Sequence, residues 1–549
     1  MKATKRIFSV FLTCVLAFTM AFAMGLTASA ADYTITINKP AGDIDRTYEA
    51  YQIFRGNLDG NTLSDIEWGT GIDGAAFLTE LKKNAPYTSC QDAKAVAEKL
   101  ASFTDDSDEA VAFAKLAGKF LTTATASSST GQITVPAGYY LLKDVTAVTD
   151  DALSLNILKV VKDVTVNPKA DHPTVDKKIG TDITTGAVAN EATIGDKVPF
   201  VIASKVPQMQ GYTKYFFVLK DSMTAGLTYN KDVAIKIGAT TLAADAYDVT
   251  YDDTANTMKI VIKNFIDYKN EVGKDIVVTY SATLNEKADL TQTGNKNTVK
   301  LTYSNNPNVD YKGDNEPDTT DPVGETPEHV TVTYSTKLQL TKVDGGDKNV
   351  KLEGVEFQIT GTSIKTAVSK GDYFKQDAAG TYYQLKDGTF TETAPTAETG
   401  SKYVSTSVKY AKVTDATEQT KMQKVTARGT TNANGLITFE GLGAGTYYIT
   451  ELKAKSGYNL LTAPITVVIT ATPGTTSCTW TATMNGADAT FADNMVKLTV
   501  ENNKGSVLPI TGGIGTTIFY VIGGLLVCGA VVMAITKKKL SVEDKADQN

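Results

Sequence analysis

Apolar and polar residues alternate with a period of two along most of this chain, as in Tyr33-Thr34-Ile35-Thr36-Ile37 and Thr257-Met258-Lys259-Ile260-Val261-Ile262. That period sends successive side chains to opposite faces of an extended strand, so one face can be buried while the other stays wet. Gln132-Ile133-Thr134-Val135 and Gly138-Tyr139-Tyr140-Leu141-Leu142 are two more such strands, split at Pro136 and Ala137. One stretch, 92–120, instead repeats Ala, Lys and Leu at helical spacing. Two others do not alternate at all: 7–26 and 514–535 are continuously apolar.

These patterns divide the chain. The strands predict an all-β protein built from tandem immunoglobulin-like β-sandwich domains. The expected units are 31–168, 173–311 and 330–503. Residues 305–328, rich in proline and acids, read as a loop or linker. A polar insertion at 362–423 interrupts the third unit. The first apolar run follows Lys2, Lys5 and Arg6 and ends before Ala28-Ser29-Ala30, a small-x-small cleavage pattern, so 1–30 reads as a cleaved secretory signal peptide. The second run is long enough to cross a bilayer as a transmembrane helix, and Lys537, Lys538 and Lys539 behind it place the tail on the cytoplasmic side. The bulk of the chain is expected outside the cell.

Composition narrows the function. The chain has 549 residues, 42% hydrophobic and 21% charged, with a net charge of −7 that argues against a nucleic-acid partner. Of four cysteines, Cys14 and Cys528 fall in the apolar runs, leaving Cys90 and Cys478 too far apart for a disulfide framework. Both histidines, His172 and His329, lie in linker-like sequence. No His/Cys cluster has metal-ligand spacing, no nucleophile–histidine pair is available, and no Gly-rich phosphate loop is present, so neither a metal, a cofactor nor an enzyme activity toward other molecules is expected.

An exported protein without disulfides needs another source of stability, and the third unit supplies a chemistry for it. Alternation in Leu338-Gln339-Leu340-Thr341-Lys342 puts Lys342 on the core face with two leucines. The same reasoning turns Glu451 inward with Tyr447 and Ile449, and Asn502 inward with Leu498 and Val500. Three inward polar groups are costly unless they satisfy one another. Burial favours a neutral amine and a neutral acid, so the lysine can attack the asparagine carboxamide while the acid moves protons, releasing ammonia and leaving a Lys–Asn isopeptide bond. In the middle unit Lys177 alternates with Val175 and Ile179, and Asn297 with Val299 and Leu301. The first unit shows no comparable triad.

Several motifs resemble those of Gram-positive surface proteins. Leu508-Pro509-Ile510-Thr511-Gly512, followed by the apolar span and lysine cluster, resembles the LPxTG cell-wall sorting signal. The resemblance implies that a sortase cleaves after Thr511, holds it as an acyl-enzyme and passes it to an amine, anchoring the protein to peptidoglycan. Val164, Val166, Pro168 and Lys169 resemble the pilin motif WxxxVxVYPKN, with Val160, Asn167 and Ala170 as departures. That resemblance makes Lys169 the amine that takes the Thr511 acyl group of another copy. The stretch from Tyr447 to Tyr458 resembles the E-box YxLxETxAPxGY of collagen-adhesin B-type domains at Tyr447, Glu451, Ala454, Gly457 and Tyr458, with Ile449 for Leu and without the Thr and Pro. The middle unit resembles the middle domains of pilus backbone subunits, which implies Asp221 as its acid, with Glu286 as the alternative. Together these imply the major, backbone subunit of a sortase-assembled pilus that supports surface adhesion, with sortase, further copies of itself, accessory pilins and peptidoglycan as partners. The alternative is a wall-anchored adhesin or accessory pilin that does not polymerise through Lys169. No segment identifies a host or matrix ligand.

Overall fold

The computed structural model describes residues 32–39, 45–104, 107–146, 153, 155–167, 173–361, 364–369, 372–416, 419 and 427–505, together with 526, 527 and 530. The expected signal peptide, Pro168 and Lys169, and the pentapeptide at 508–512 lie outside the described residues, as does nearly all of the second apolar run. Among the described residues no helix is long and apolar enough to cross a membrane. Strands dominate, as the alternation predicts.

The first unit pairs two sheets with a helical cap. Strand Asp32–Ile37 runs antiparallel to Gln132–Pro136 and parallel to Val164–Val166. A second sheet carries Thr62–Trp68, Tyr48–Asp59, Gly138–Asp144 and Leu155–Val160 in that order. The expected helical stretch at 92–120 is two helices, Ala93–Leu100 and Asp108–Ala117, preceded by a third, Gly74–Leu81. The break has a local cause. The Ser102 hydroxyl donates back to the Lys99 carbonyl, and Ser107 starts afresh by accepting from the Ala110 N–H. Phe77, Val96 and Phe113 on the helices cover Phe54 and Leu141 on the sheet. This unit is therefore not a bare sandwich.

The middle unit is a two-layer sandwich. One layer is ordered Thr240–Thr241, Ala234–Ile237, Asp275–Leu284, Lys197–Lys205, Asp176–Ile179. The other contains Phe217–Met223, flanked by Thr257–Ile262 and Asn295–Ser304. The stretch read as a loop or linker returns to this second layer. Val323–Glu325 pairs with Thr302–Ser304, and His329–Tyr334 pairs with 295–299. Its prolines and acids are organised by Asp321, whose carboxylate accepts from the backbone N–H groups of Lys312, Gly313 and Asp318 at 2.8–2.9 Å. Alternation cannot register such a turn, because side-chain acceptors rather than strand pairing hold it. The sheet thus runs to Tyr334, beyond the expected boundary at 311.

Buried Ser335 alone separates that strand from Thr336–Asp344, which opens the third unit. There a nine-stranded sheet curls around one core, and its first and last strands, Thr336–Asp344 and Met495–Asn502, are parallel neighbours. The insertion forms a small sheet of Thr366–Ser369, Asp372–Gln376 and Tyr410–Val413 plus a short hairpin, Tyr383–Gln384 with Phe390–Thr391. The Phe374 and Phe390 rings stack with centroids 4.0 Å apart and an interplanar angle of 7°.

Candidate functional site

Two clusters of buried charge stand out, one in each sandwich. In the third unit Lys342 and Asn502 sit on the adjacent parallel strands, with Asp344 directly opposite Asn502 in the pairing. Lys342 is two residues short of that register and leans toward Asn502, so its Nζ donates to Oδ1 at 2.5 Å. Glu451 comes from strand Gly445–Lys453 across the core. Its Oε1 accepts from Asn502 Nδ2 at 2.6 Å, and its Oε2 lies 3.7 Å from Lys342 Nζ and accepts from the Leu461 N–H at 3.1 Å. The Lys342 amine also stands 5.5 Å from the Phe357 ring centroid. With none of its surface exposed, Lys342 is pushed down to about 8 by burial, against the pull of Glu451.

The middle cluster holds the same residue types in a different arrangement. Here acid and asparagine share a layer, on neighbouring strands Phe217–Met223 and Asn295–Ser304, and Lys177 reaches them from the opposite layer. In the third unit lysine and asparagine share the strand pair and the acid crosses. Lys177 Nζ donates to Asp221 Oδ2 at 2.5 Å and also to Asn297 Oδ1. Tyr280 donates to Asp221 Oδ2 at 2.7 Å and accepts from Asn297 Nδ2 at 2.9 Å. Phe200 and Tyr280 flank the amine, with ring centroids at 5.4 and 5.5 Å. Burial drives Lys177 down to about 8 and Asp221 up, which moves both toward their neutral forms. Asp221 Oδ1 has no hydrogen-bond partner among the described residues, which adds to the cost of its charged form.

The structure therefore brings Lys342, Glu451 and Asn502 together, and Lys177, Asp221 and Asn297. Glu286 is exposed in the turn after Asp275–Leu284, away from the cluster. Tyr280 is absent from the sequence reading. An inward tyrosine in Asp275–Leu284 reads as core, and only its hydroxyl, which needs a partner when buried, marks it. In the first unit the described residues hold an ion pair instead: Arg46 donates to Asp144 at 2.7 Å, with both side chains buried. Val164 and Val166 point into the core beside Ile35 and Ile37, and the Asn38 N–H donates to the Val166 carbonyl at 2.9 Å. Lys169, three residues beyond Val166, lies outside the described residues, as does Thr511.

Residues 194–307 match the family model of Gram-positive pilin backbone subunit 2, a Cna-B-like domain. That segment is thus similar to a backbone-pilin domain. Residues 336–484 match a second model, the SpaA prealbumin-like fold domain. The trypsin-resistant surface T6 protein of Streptococcus pyogenes serotype M6 is 24% identical over 400 residues, covering 68% of this chain and 70% of that protein. The solved structure of the T6 backbone pilin, described as a modular three-domain structure with variable loops and extensions, covers 87% of this chain and all of its own at 17% identity, with a TM-score of 0.51. The full-length major pilin SpaD of Corynebacterium diphtheriae covers 88% of this chain at 15% identity, with a TM-score of 0.45. The backbone-pilin likenesses support a pilus backbone subunit, a structural protein of the cell exterior.

Proposed function

We propose that this protein is the backbone subunit of a sortase-assembled pilus, joined to its neighbours by an isopeptide between Thr511 of one copy and Lys169 of the next. Two internal Lys–Asn isopeptides, Lys342–Asn502 and Lys177–Asn297, reinforce it. The observation that carries this reading is the recurrence of a buried lysine touching a buried asparagine beside a carboxyl group in two successive sandwiches of a chain with a segment similar to a backbone-pilin domain.

In each cluster the neutral amine attacks Cγ of the asparagine. The Nζ–Cγ bond forms, the Cγ–Nδ2 bond breaks, and one proton passes from Nζ to the departing ammonia. Glu451 and Asp221 are the acids that carry it. The lysine is already in contact with its target, so the sandwich contributes the effective concentration that makes amide exchange feasible. The intersubunit joint uses a nucleophile supplied by sortase instead, since Thr511 must first be cleaved from Gly512. The expected location is the cell wall, reached through a membrane-inserted precursor, with accessory pilins and peptidoglycan as further partners.

Substituting Lys169→Arg tests the joint. In cells with their sortases intact, high-molecular-weight ladders of this protein should disappear while the wall-anchored monomer remains. Unchanged ladders would exclude Lys169 as the acceptor and leave a wall-anchored or accessory protein.

A further inference from the structure

We propose that Tyr280 is a catalytic residue of the middle cluster, relaying the proton that the departing ammonia of Asn297 requires. The inference rests on the Lys–Asn reading above and adds a residue and a proton path to it.

Hydrogen-bond chemistry fixes the orientation. A charged lysine amine can only donate, so the Asn297 atom facing Lys177 is the carbonyl oxygen. The amide nitrogen must then point the other way, where it meets the Tyr280 hydroxyl at 2.9 Å. That nitrogen donates, so the phenol oxygen accepts, and the phenol's own hydrogen goes to Asp221 Oδ2 at 2.7 Å. The same Oδ2 receives Lys177 Nζ at 2.5 Å. The result is an unbroken chain from the attacking nitrogen through Asp221 and Tyr280 to the leaving nitrogen. The third unit needs no such link, because Asn502 Nδ2 bonds Glu451 Oε1 directly at 2.6 Å, and the ring beside Lys342 is that of Phe357, which has no hydroxyl.

The step balances along this chain. With Asp221 as the carboxylate, neutral Lys177 Nζ adds to Asn297 Cγ and gives one proton to Asp221 Oδ2. Protonated Asp221 then becomes the donor to Tyr280, whose hydroxyl turns its own hydrogen from Oδ2 to Nδ2, gives it up as the Cγ–Nδ2 bond breaks, and takes the proton from Asp221. Ammonia leaves, and Asp221 and Tyr280 finish as they began. Burial and the adjacent carboxylate hold the Tyr280 phenol well above its ordinary range, so it keeps its proton until a replacement is in place.

Tyr280→Phe removes the oxygen and keeps the ring that stacks on Phe200, with centroids 5.4 Å apart. The mass of newly synthesised ectodomain, followed over time, reads both bonds in one molecule. The middle bond should form about 100-fold more slowly or not at all, as expected when a general acid is lost, while the Lys342–Asn502 bond forms at the wild-type rate. Two ammonia losses at wild-type rates would overturn the relay. Wild-type protein that loses no ammonia would instead remove the Lys–Asn reading beneath it. A second variant, with 3-fluorotyrosine at position 280 only, preserves shape and hydrogen bonding but makes the phenol more acidic. A changed rate for the middle bond supports the relay, and an unchanged rate assigns Tyr280 to packing alone.

Discussion

At the scale of single residues, the two lysines combine properties that oppose each other elsewhere. An amine in water is protonated at neutral pH and does not attack. Moving it into an apolar core penalises the charge, and burial lowers both Lys177 and Lys342 from 10.5 to about 8. Each carboxyl group pulls the other way, which keeps the amine from becoming fully neutral and holds it beside its target. The sign of the pH dependence follows. The nucleophilic, neutral fraction grows as pH rises through about 8, so bond formation in newly folded protein should be tens-fold slower at pH 6 than at pH 8.5. Mass measurement of freshly translated ectodomain held at each pH checks this, and a flat profile would show that amine deprotonation does not limit the reaction.

At the scale of elements, the two clusters reach the same contacts by different strand arrangements. In the third unit the bond would tie the first strand to the last, closing a loop of 160 residues. A cross-link over that span constrains the unfolded chain by about 5 kcal/mol in the chain-entropy model. Lys342→Met keeps an apolar stem of similar length and removes the amine. The thermal transition of the third unit should fall by an amount corresponding to about 5 kcal/mol, with the middle unit's transition unmoved. A loss no larger than that of an ordinary surface substitution would show that no cross-link had been there.

What the sequence makes legible at this scale follows from what alternation encodes. Lys177, Lys342, Glu451, Asn297 and Asn502 can each be placed inward because strand phase decides a face. Which inward groups meet across the sandwich depends on sheet order, which phase does not carry. Asp221 therefore needs a family resemblance to be chosen over Glu286. Tyr280 escapes because an inward tyrosine looks like core. The strand His329–Tyr334 hides behind a proline-rich stretch whose organising contacts run from Asp321 to backbone N–H groups.

At the scale of the whole molecule, the middle and third units are joined by more than a peptide bond. Glu191 accepts from the Ala444 N–H at 2.6 Å, Thr193 Oγ1 from the Gly443 N–H at 3.0 Å, and Gly441 accepts from the Ile194 N–H at 2.9 Å. Gln292 reaches across to Asn494 and Cys478. Gly441 has φ +73°, and a Cβ there would stand 2.2 Å from Ile194 Cδ1. Gly441→Val should therefore strain the end of strand Leu436–Leu442 and loosen this contact. X-ray scattering of the ectodomain would register it as a broader distribution of interatomic distances, and an unchanged profile would show that the junction is held elsewhere. The first unit meets the middle one through ion pairs, with Lys115 and Lys119 both 2.9 Å from Asp310. In the proposed fibre, force passing through Thr511–Lys169 joints would be carried past the strand pairing by the proposed covalent ties inside the two sandwiches, because individual inter-strand hydrogen bonds contribute only about 1 kcal/mol each.

The most direct test of this account is the intact mass of the folded, wild-type ectodomain. The account predicts a mass lower than the sequence sum by two molecules of ammonia, falling to a deficit of one in Glu451→Ala and one in Asp221→Ala. A wild-type mass equal to the sequence sum would contradict it.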